Sequence, residues 1–236
     1  MAALGAKVAV VGRNAEKATL AADEIRAVNG QALGLSADVR EFDAVAASLR
    51  ATVEAFGAPD IVISGAAGNF PAPAVSISAK GFKTVVDIDL IGTYNVFRAA
   101  FDVSSKPGAS FIAISAPQAL HPMAFQAHVC AAKAGINMLV QCLALEWGPA
   151  GIRVNGISPG PIVGTEGMAR LAPTPAIEAM IKQRLSLRRF GQPSEIGDAA
   201  VYLSCEAASY VTGTILDCDG GSQLGDASRD CLTPTR

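Results

Sequence analysis

Between Phe111 and Ile162, two short apolar runs flank a long helical pattern, and this arrangement narrows what the chain can fold into more than any other stretch. Phe111-Ile112-Ala113-Ile114 is apolar at every position, as a strand covered on both faces must be. A loop from Ser115 to Phe125 follows, then a helical stretch carrying Lys133, then a second β run, Ile152-Arg153-Val154-Asn155-Gly156-Ile157, which ends in Ser158-Pro159-Gly160-Pro161-Ile162. Strand, helix, strand is the crossover unit that parallel neighbours require, and ligands collect outside the carboxyl ends of such strands. Lys133, Pro159, Gly160 and Ile162 belong to that end.

The rest of the chain repeats the alternation. Lys7 to Gly12 reads as a buried strand, and Ala15 to Val28 as a helix with Asn14 as N-cap. Ala32 to Leu35 is a strand ending near Asp38-Val39, and about Glu41 to Phe56 is a helix stopped by Gly57. Asp60 to Ser64 is a strand opening into Gly65-Ala66-Ala67-Gly68-Asn69-Phe70, whose small side chains let a ligand approach the backbone. One long helix is expected from about Ala79 to Phe101, carrying Asp87, Asp89 and Gly92. The segment from Gly164 to Leu187 reads as a flap with one amphipathic helix (Ile177, Met180, Ile181, Leu185). Pro193 to Ser204 is a helix with Pro in its first turn, and Thr214 to Asp217 is the last strand. The polar tail from Gly225 is expected to fray. Six strands with crossover helices predict an α/β class, Rossmann-like doubly wound parallel sheet, in a three-layer αβα arrangement and one domain over 1–236.

Composition fits that class. The chain has 236 residues, half of them apolar and 17% charged, within the size of one large α/β domain. Net charge is −2 with both signs scattered, so no basic stripe points to nucleic acid. No apolar run reaches the about 18 residues expected of a membrane span, so no membrane role is expected. The first residues do not read as a signal peptide, and Leu-Thr-Pro-Thr-Arg at the end is not a peroxisomal address. Five dispersed cysteines without a C-x-x-C predict buried thiols, no metal site and a reducing, cytoplasmic setting.

One part of the pattern is missing. A dinucleotide fold of this kind normally opens with a strand and a Gly-rich turn that holds the pyrophosphate, and no G-x-G-x-x-G occurs here. The sheet is therefore expected to lack its first strand and that turn.

With Gly12-Arg13, Asp38-Val39, Ala66-Ala67-Gly68, Lys133, Ile152 to Asn155, Pro159-Gly160, Gly213 and Asp219-Gly220-Gly221 in this order, the chain resembles the short-chain dehydrogenase/reductases over nearly its whole length. It departs from their usual catalytic set: Val129 stands where a tyrosine is expected four residues before Lys133, Ala116 where a serine is expected, and Asp89 where an asparagine is expected. The 2,4-dienoyl-CoA reductase subgroup, especially its peroxisomal type, resembles this pattern. The matching residues include Ala66 to Phe70, Asp87-Ile88-Asp89, Gln126 with His128, Glu146 to Pro149, Pro159 to Ile162 and Gly164 to Gly167.

The resemblance implies NADP(H)-dependent reduction of an acyl-CoA-like thioester. Lys133 then holds ribose hydroxyls and adds positive potential, against the alternative of a solvated helix charge. Asp87 and Asp89 orient a proton-donating water or are plain helix residues. Asn69 and Phe70 line the thioester site, though Phe70 also reads as core. His128 is a substrate-binding donor or a satisfied structural histidine. Arg13 selects the 2′-phosphate of NADPH, since no acidic residue sits beside it, or is a surface arginine. Asp38 accepts from the adenine amino group or caps the next helix, and Val39, Ala66, Ala67, Gly68, Pro159, Gly160 and Ile162 line the cofactor. A homotetramer formed through the long helices after Ser78 and Gln126 is implied. The alternatives are another short-chain oxidoreductase acting on a carbonyl or alcohol, and a degenerate member that only binds nucleotide or oligomerises.

Overall fold

The computed structural model describes residues 1–229 and holds the strands and helices in the expected alternation. The strands are β1 (Val8–Gly12), β2 (Ala32–Ser36), β3 (Ile61–Ser64), β4 (Ser110–Ile114), β5 (Arg153–Pro159) and β6 (Ile215–Cys218). Every pairing is parallel. The ladder is interrupted: β1 pairs only with β2, while β3-β4-β5-β6 form a separate four-stranded sheet. An unpaired edge on each side of the break is what a doubly wound sheet without its first strand and Gly-rich turn would show.

β4 shows why the apolar run was uniform. Phe111 and Ala113 face a core with Phe97, Ile136, Val140 and Val154, whereas Ile112 faces Ile157, Ala200 and Leu203 on the opposite side. The first layer comes from α4 (Gly92–Val103) and α5 (Ala127–Trp147), the second from α8 (Pro193–Ser204). Alternate side chains of one strand thus enter two different cores, and neither face is left for polar residues. Asn155, fully buried on β5, donates to Val211 O (2.9 Å) and accepts from Thr214 N–H (3.1 Å), so it fixes the approach to β6.

α5 corrects one expectation. The segment Ala127–Ala150 is long and apolar enough to cross a membrane. Here it packs as the central core helix, with Val129, Ala132, Ile136, Val140 and Leu143 buried.

The remaining helices are α1 (Ala15–Ala27), α2 (Phe42–Phe56), α3 (Ala79–Val86), α6 (Glu166–Leu171) and α7 (Pro175–Arg184). Asn14 caps α1 as read, its side chain accepting from Lys17 N–H at 3.0 Å. Two elements differ from the sequence reading. The single helix expected from Ala79 to Phe101 is broken into α3 and α4 by a π turn at Asp87–Ile91. The flap holds two helices rather than one, begun by the side chains of Thr165 and Thr174, which accept from Met168 and Ile177 N–H. Its base is clamped, because Gly191 N–H donates to Pro161 O and Val163 N–H to Gly191 O, both at 2.9 Å.

The tail is anchored further than expected. Ala227 N–H donates to Arg184 O (3.2 Å), and Asp226 pairs with Arg184 (3.3 Å). The rest of the expected frayed segment, 230–236, lies outside the described residues.

α8 begins with an ion pair that sets an acid limit. Arg189 donates to both oxygens of Glu195 (2.8 and 2.6 Å), and Gln192 N–H adds a third bond at 2.7 Å. The Arg189 hydrogen bonds, followed by the Gln192 N–H, pull the Glu195 carboxyl down to about 2. Its folded value thus lies below the unfolded value of about 4.3. The pair's stabilisation is complete above that unfolded value and is lost as pH falls toward about 2. Thermal melts are expected to show a steeper acid decline for the parent than for Glu195→Gln across that window. Identical slopes would contradict it.

Candidate active site

The π turn builds the centre of the site. A π turn inserts one extra residue into a helix and re-aims the side chains on it. Asp87 and Asp89, two residues apart on it, face different ways, as positions i and i+2 do on a helix. Asp89 is fully buried, its Oδ1 accepting Gly68 N–H (2.6 Å) and its Oδ2 lying 3.4 Å from Lys133 Nζ. Asp87 instead pairs with Lys83 (2.5 Å) on the outside of α3 and feels Arg40. Of the two candidate acids, Asp89 joins Lys133 and Asp87 faces the rim.

Lys133 is buried on α5, and its ammonium donates to Ile114 O (2.9 Å) at the carboxyl end of β4. The expected alternative of a solvated helix charge is therefore not what the structure shows. Burial pushes the Lys133 ammonium below its ordinary pKa, and the Asp89 carboxylate opposes that push. Burial likewise raises Asp89, with Lys133 and the Gly68 N–H pulling it back. Burial and the partner charge thus act in opposite senses on each member of the pair.

Four polar groups that were not among the candidate site residues, Ser64, Thr93, Ser115 and Asn137, extend this site. Thr93 donates to Asp89 O (2.7 Å) and accepts from Ser64 (3.1 Å), tying the π turn to the end of β3. Ser115, one residue beyond β4, donates to Asn137 Oδ1 at 2.5 Å. Asn137 lies four residues after Lys133, so it shares its helix face, and this spacing was the available signal.

His128 is the largest departure. Its side chain is fully buried in the first turn of α5, and neither ring nitrogen has a protein partner. Phe70 stacks on it with centroids 4.4 Å apart, and Phe82 lies 6.4 Å away. His128 thus has no hydrogen-bond partner for either ring nitrogen among the described residues. Phe70, half-exposed, covers it, and Asn69 beside Phe70 is exposed.

The residues expected to line a nucleotide lie at the ends of β1, β2, β3 and β5. Arg13 is exposed directly after β1, its carbonyl held by Ser36 Oγ (3.3 Å), and its guanidinium makes no ion pair among the described residues. Ala66 and Ala67 are exposed beyond β3, and a Cβ at Gly68 would lie 3.2 Å from Ile88 Cδ1, a tight contact. Val39 is pinned to α4, since Asn95 donates to its carbonyl (2.9 Å) and a Cβ at Gly92 would fall 2.5 Å from Val39 Cγ2. Asp38 is already engaged: Arg40 bonds both carboxylate oxygens and donates its own backbone N–H, pulling the carboxyl down to about 2. To accept from an adenine, Asp38 must share oxygens with Arg40.

Pro159, Gly160 and Ile162 form the opposite wall. A Cβ at Gly160 would lie 2.5 Å from Asp219 Cα and O, so only glycine lets these two backbones meet. Asp219 is held by Gly221 N–H, Ser222 Oγ and Gln223 N–H, a structural duty. Next to this wall, under the flap, lies a cavity of about 440 Å³ lined by Pro161, Ile162, Leu187, Arg189 and Asp219.

A buried lysine, a shelf of small residues and a Pro-Gly turn thus gather at the carboxyl ends of parallel strands, where doubly wound sheets bind their ligands. Residues 1–223 match the family model described as enoyl-(acyl carrier protein) reductase. The peroxisomal 2,4-dienoyl-CoA reductase of Danio rerio is 40% identical over 226 residues, covering 95% of this chain and 75% of that protein. That of Saccharomyces cerevisiae is 43% identical over 222 residues, covering 92% and 76%. Among solved structures, a putative short-chain alcohol dehydrogenase from Sinorhizobium meliloti superposes with TM-score 0.89 at 29% identity, covering 95% of this chain and 89% of that one. A gluconate 5-dehydrogenase from Burkholderia cenocepacia, solved with NADP and tartrate, gives 0.85 at 27%, covering 94% and 88%. The chain belongs to the short-chain dehydrogenase/reductase family, and it is an NAD(P)-dependent oxidoreductase of that type.

Proposed function

We propose that this oxidoreductase reduces 2,4-dienoyl-CoA thioesters with NADPH. The observation that carries the reading is the buried Lys133–Asp89 pair at the end of β4, with Val129 where a phenol would stand. The chain has three tyrosines, Tyr94, Tyr202 and Tyr210, and all are exposed. Reduction of a carbonyl needs an acid placed at oxygen. Reduction of a conjugated thioester needs positive charge near the thioester oxygen and a proton for a carbon, which a lysine–carboxylate pair can serve.

The nicotinamide supplies a hydride when bound. Arg13 would take its 2′-phosphate, Lys133 its ribose hydroxyls, and Asp38 and Val39 its adenine end. Ala66, Ala67 and Gly68 would lie along one side, with Pro159, Gly160 and Ile162 along the other. The exposed shelf and the free Arg13 guanidinium fit such a group. Asn69 and Phe70 border the thioester, Asp89 orients the proton donor, and Asp87 contributes only charge at the rim. A cleft of about 610 Å³ lined by Ile77, Phe82 and Val86 with Lys83 at its edge suits an acyl chain. Hydride at carbon 5 and a proton at carbon 2 leave the double bond at carbon 3. The two relatives' names describe the same (3E)-enoyl-CoA product.

Cofactor titration by fluorescence tests the reading. A guanidinium–phosphate contact of about 1.5–3 kcal/mol predicts NADPH binding roughly 10- to 100-fold tighter than NADH. Arg13→Ala removes that preference. Failure to bind NADPH at millimolar concentration would overturn the proposal and favour a non-catalytic member.

A homotetramer and a cytoplasmic setting belong to the same proposal. Ile91 and Tyr94 at the start of α4, and Met138 and Leu145 on α5, are exposed large apolar residues on the two long helices. Light scattering is expected to give four times the 24.1 kDa chain mass. A monomer would contradict it. The relatives' names place those proteins in peroxisomes, so a fluorescent fusion that collects in an organelle would contradict the cytoplasmic setting.

A further inference from the structure

Gln118 and Gln126 carry an inference that the lysine–aspartate pair does not. Reduction of a conjugated thioester puts negative charge on the thioester oxygen, and fixed donors aimed at that oxygen lower the barrier. Lys133 has no N–H left for it. An ammonium has three: one goes to Ile114 O at 2.9 Å, one faces Asp89 Oδ2 at 3.4 Å, and the proposed ribose contact takes the third. The Ser115 hydroxyl is spent on Asn137.

The loop after β4 holds an amide that remains. Gln118 lies three residues beyond Ser115, in a turn (Pro117–Ala119) packed on α5. Its Nε2 donates one hydrogen to Gln126 Oε1 at 3.2 Å, and for the other Met123 Sδ, 3.9 Å off, is a weak and distant acceptor. Gln126 is only 3% exposed, and its own Nε2 donates to Met123 Sδ at 3.0 Å. That bond fixes which way round the Gln126 amide sits, because the reverse would set a carbonyl oxygen against a thioether, two acceptors. A buried amide spent on sulfur gains little for stability, yet it leaves its oxygen turned to Gln118. The same loop borders the shelf of small residues. Phe125 O, next to Gln126, accepts Ala72 N–H at 2.9 Å, two residues beyond Phe70, whose ring stacks on His128 at 4.4 Å.

We propose that Gln118 donates its second amide N–H to the thioester oxygen, as a further catalytic residue, and that Gln126 and Met123 are the positioning residues that hold it there. The inference rests on the dienoyl-CoA reading above. As hydride reaches carbon 5, an electron pair moves along the conjugated chain to the thioester oxygen, and the Gln118 hydrogen bond strengthens onto it. When carbon 2 takes its proton the pair returns and the carbonyl re-forms. Gln118 gives up no proton, so nothing has to be restored on it between turnovers. A neutral amide does not titrate, so its contribution is the same at acid and alkaline pH.

The test uses Gln118→Leu, which removes the amide at similar volume, and Gln126→Met, which keeps the buried volume and removes the oxygen that orients Gln118. For Gln118→Leu, kcat is expected to fall about 100- to 1,000-fold, the size of one lost oxyanion donor, by the same factor across pH. KM for dienoyl-CoA and the NADPH dissociation constant should each stay within about threefold, because the contact strengthens only as charge develops. Gln126→Met should cost about tenfold in kcat. Infrared spectra of bound dienoyl-CoA labelled with ¹³C at its carbonyl, with NADP⁺ so that no hydride is delivered, give a second reading. The carbonyl band should lie lower in the parent than in either variant. Parent kcat in Gln118→Leu would overturn the proposal, as would a loss confined to KM or an unmoved carbonyl band. If Gln118→Leu does not fold, Gln126→Met decides by the same two readings. A parent chain that neither binds nor reduces dienoyl-CoA sinks the functional reading and this inference with it. A parent that reduces it, with both variants unaffected, sinks this inference alone.

Discussion

Lys133→Ala is expected to abolish measurable dienoyl-CoA reduction and to destabilise the protein together. The substitution leaves the Asp89 carboxylate buried without its counter-charge. Removing one member of a buried pair costs about 3–5 kcal/mol, more than losing an exposed ion pair. For a chain of this size that lowers the melting temperature on the order of 10 °C. The same change removes the positive charge from the end of β4, so NADPH binding should weaken with it. Parallel calorimetry and cofactor titration check both effects. A variant that melts with the parent would show that Asp89 is not held as a charge against Lys133.

Asp89→Asn separates chemistry from cofactor binding. An asparagine oxygen can still accept the Gly68 N–H, which holds its carboxylate counterpart at 2.6 Å, so the loop carrying Ala66 to Gly68 should keep its shape. The carboxylate is lost, and with it the orientation of the proton donor. We expect kcat to fall about 100- to 10,000-fold, with NADPH affinity within about threefold. A second effect follows from the electrostatics. Burial already lowers the Lys133 pKa, and Asp89 is the charge that opposes it. Without that charge the ammonium loses its proton at lower pH, so the alkaline limb of NADPH binding should move toward neutrality. An alkaline limb that stays in place would show that Lys133 is not coupled to Asp89.

Much of this site could be read before any coordinates. The strands β3 and β4 are short, apolar at nearly every position and closed by Ser, so their burial followed from pattern, and the helix between β4 and β5 gave their parallel order. Lys133, Ala66 to Gly68 and Pro159-Gly160 were placed at the right ends by the same logic. The expectation that the first strand and Gly-rich turn are lacking agrees with the break between β2-β1 and β3 to β6.

Other features depended on contacts that apolar periodicity does not report. The π turn at Asp87–Ile91 leaves the apolar spacing of the helix almost unchanged, and the two-residue spacing that sets Asp87 and Asp89 on different faces was a signal left unused. Arg40 captures Asp38 across a two-residue loop, which no periodicity reports. His128 sits on a helix that is apolar on most of its circumference, so no polar face showed where its ring would point. In the flap the signal was present and underused: Thr174 between Pro173 and Pro175 separates two helices, and each begins after a threonine cap.

The most direct test of the central claim is product analysis after turnover of 2,4-dienoyl-CoA with NADPH in heavy water. The account predicts a (3E)-enoyl-CoA carrying hydride from NADPH at carbon 5 and one solvent deuterium at carbon 2. Oxidation of NADPH only with ketones or aldehydes, and none with the dienoyl thioester, would contradict it.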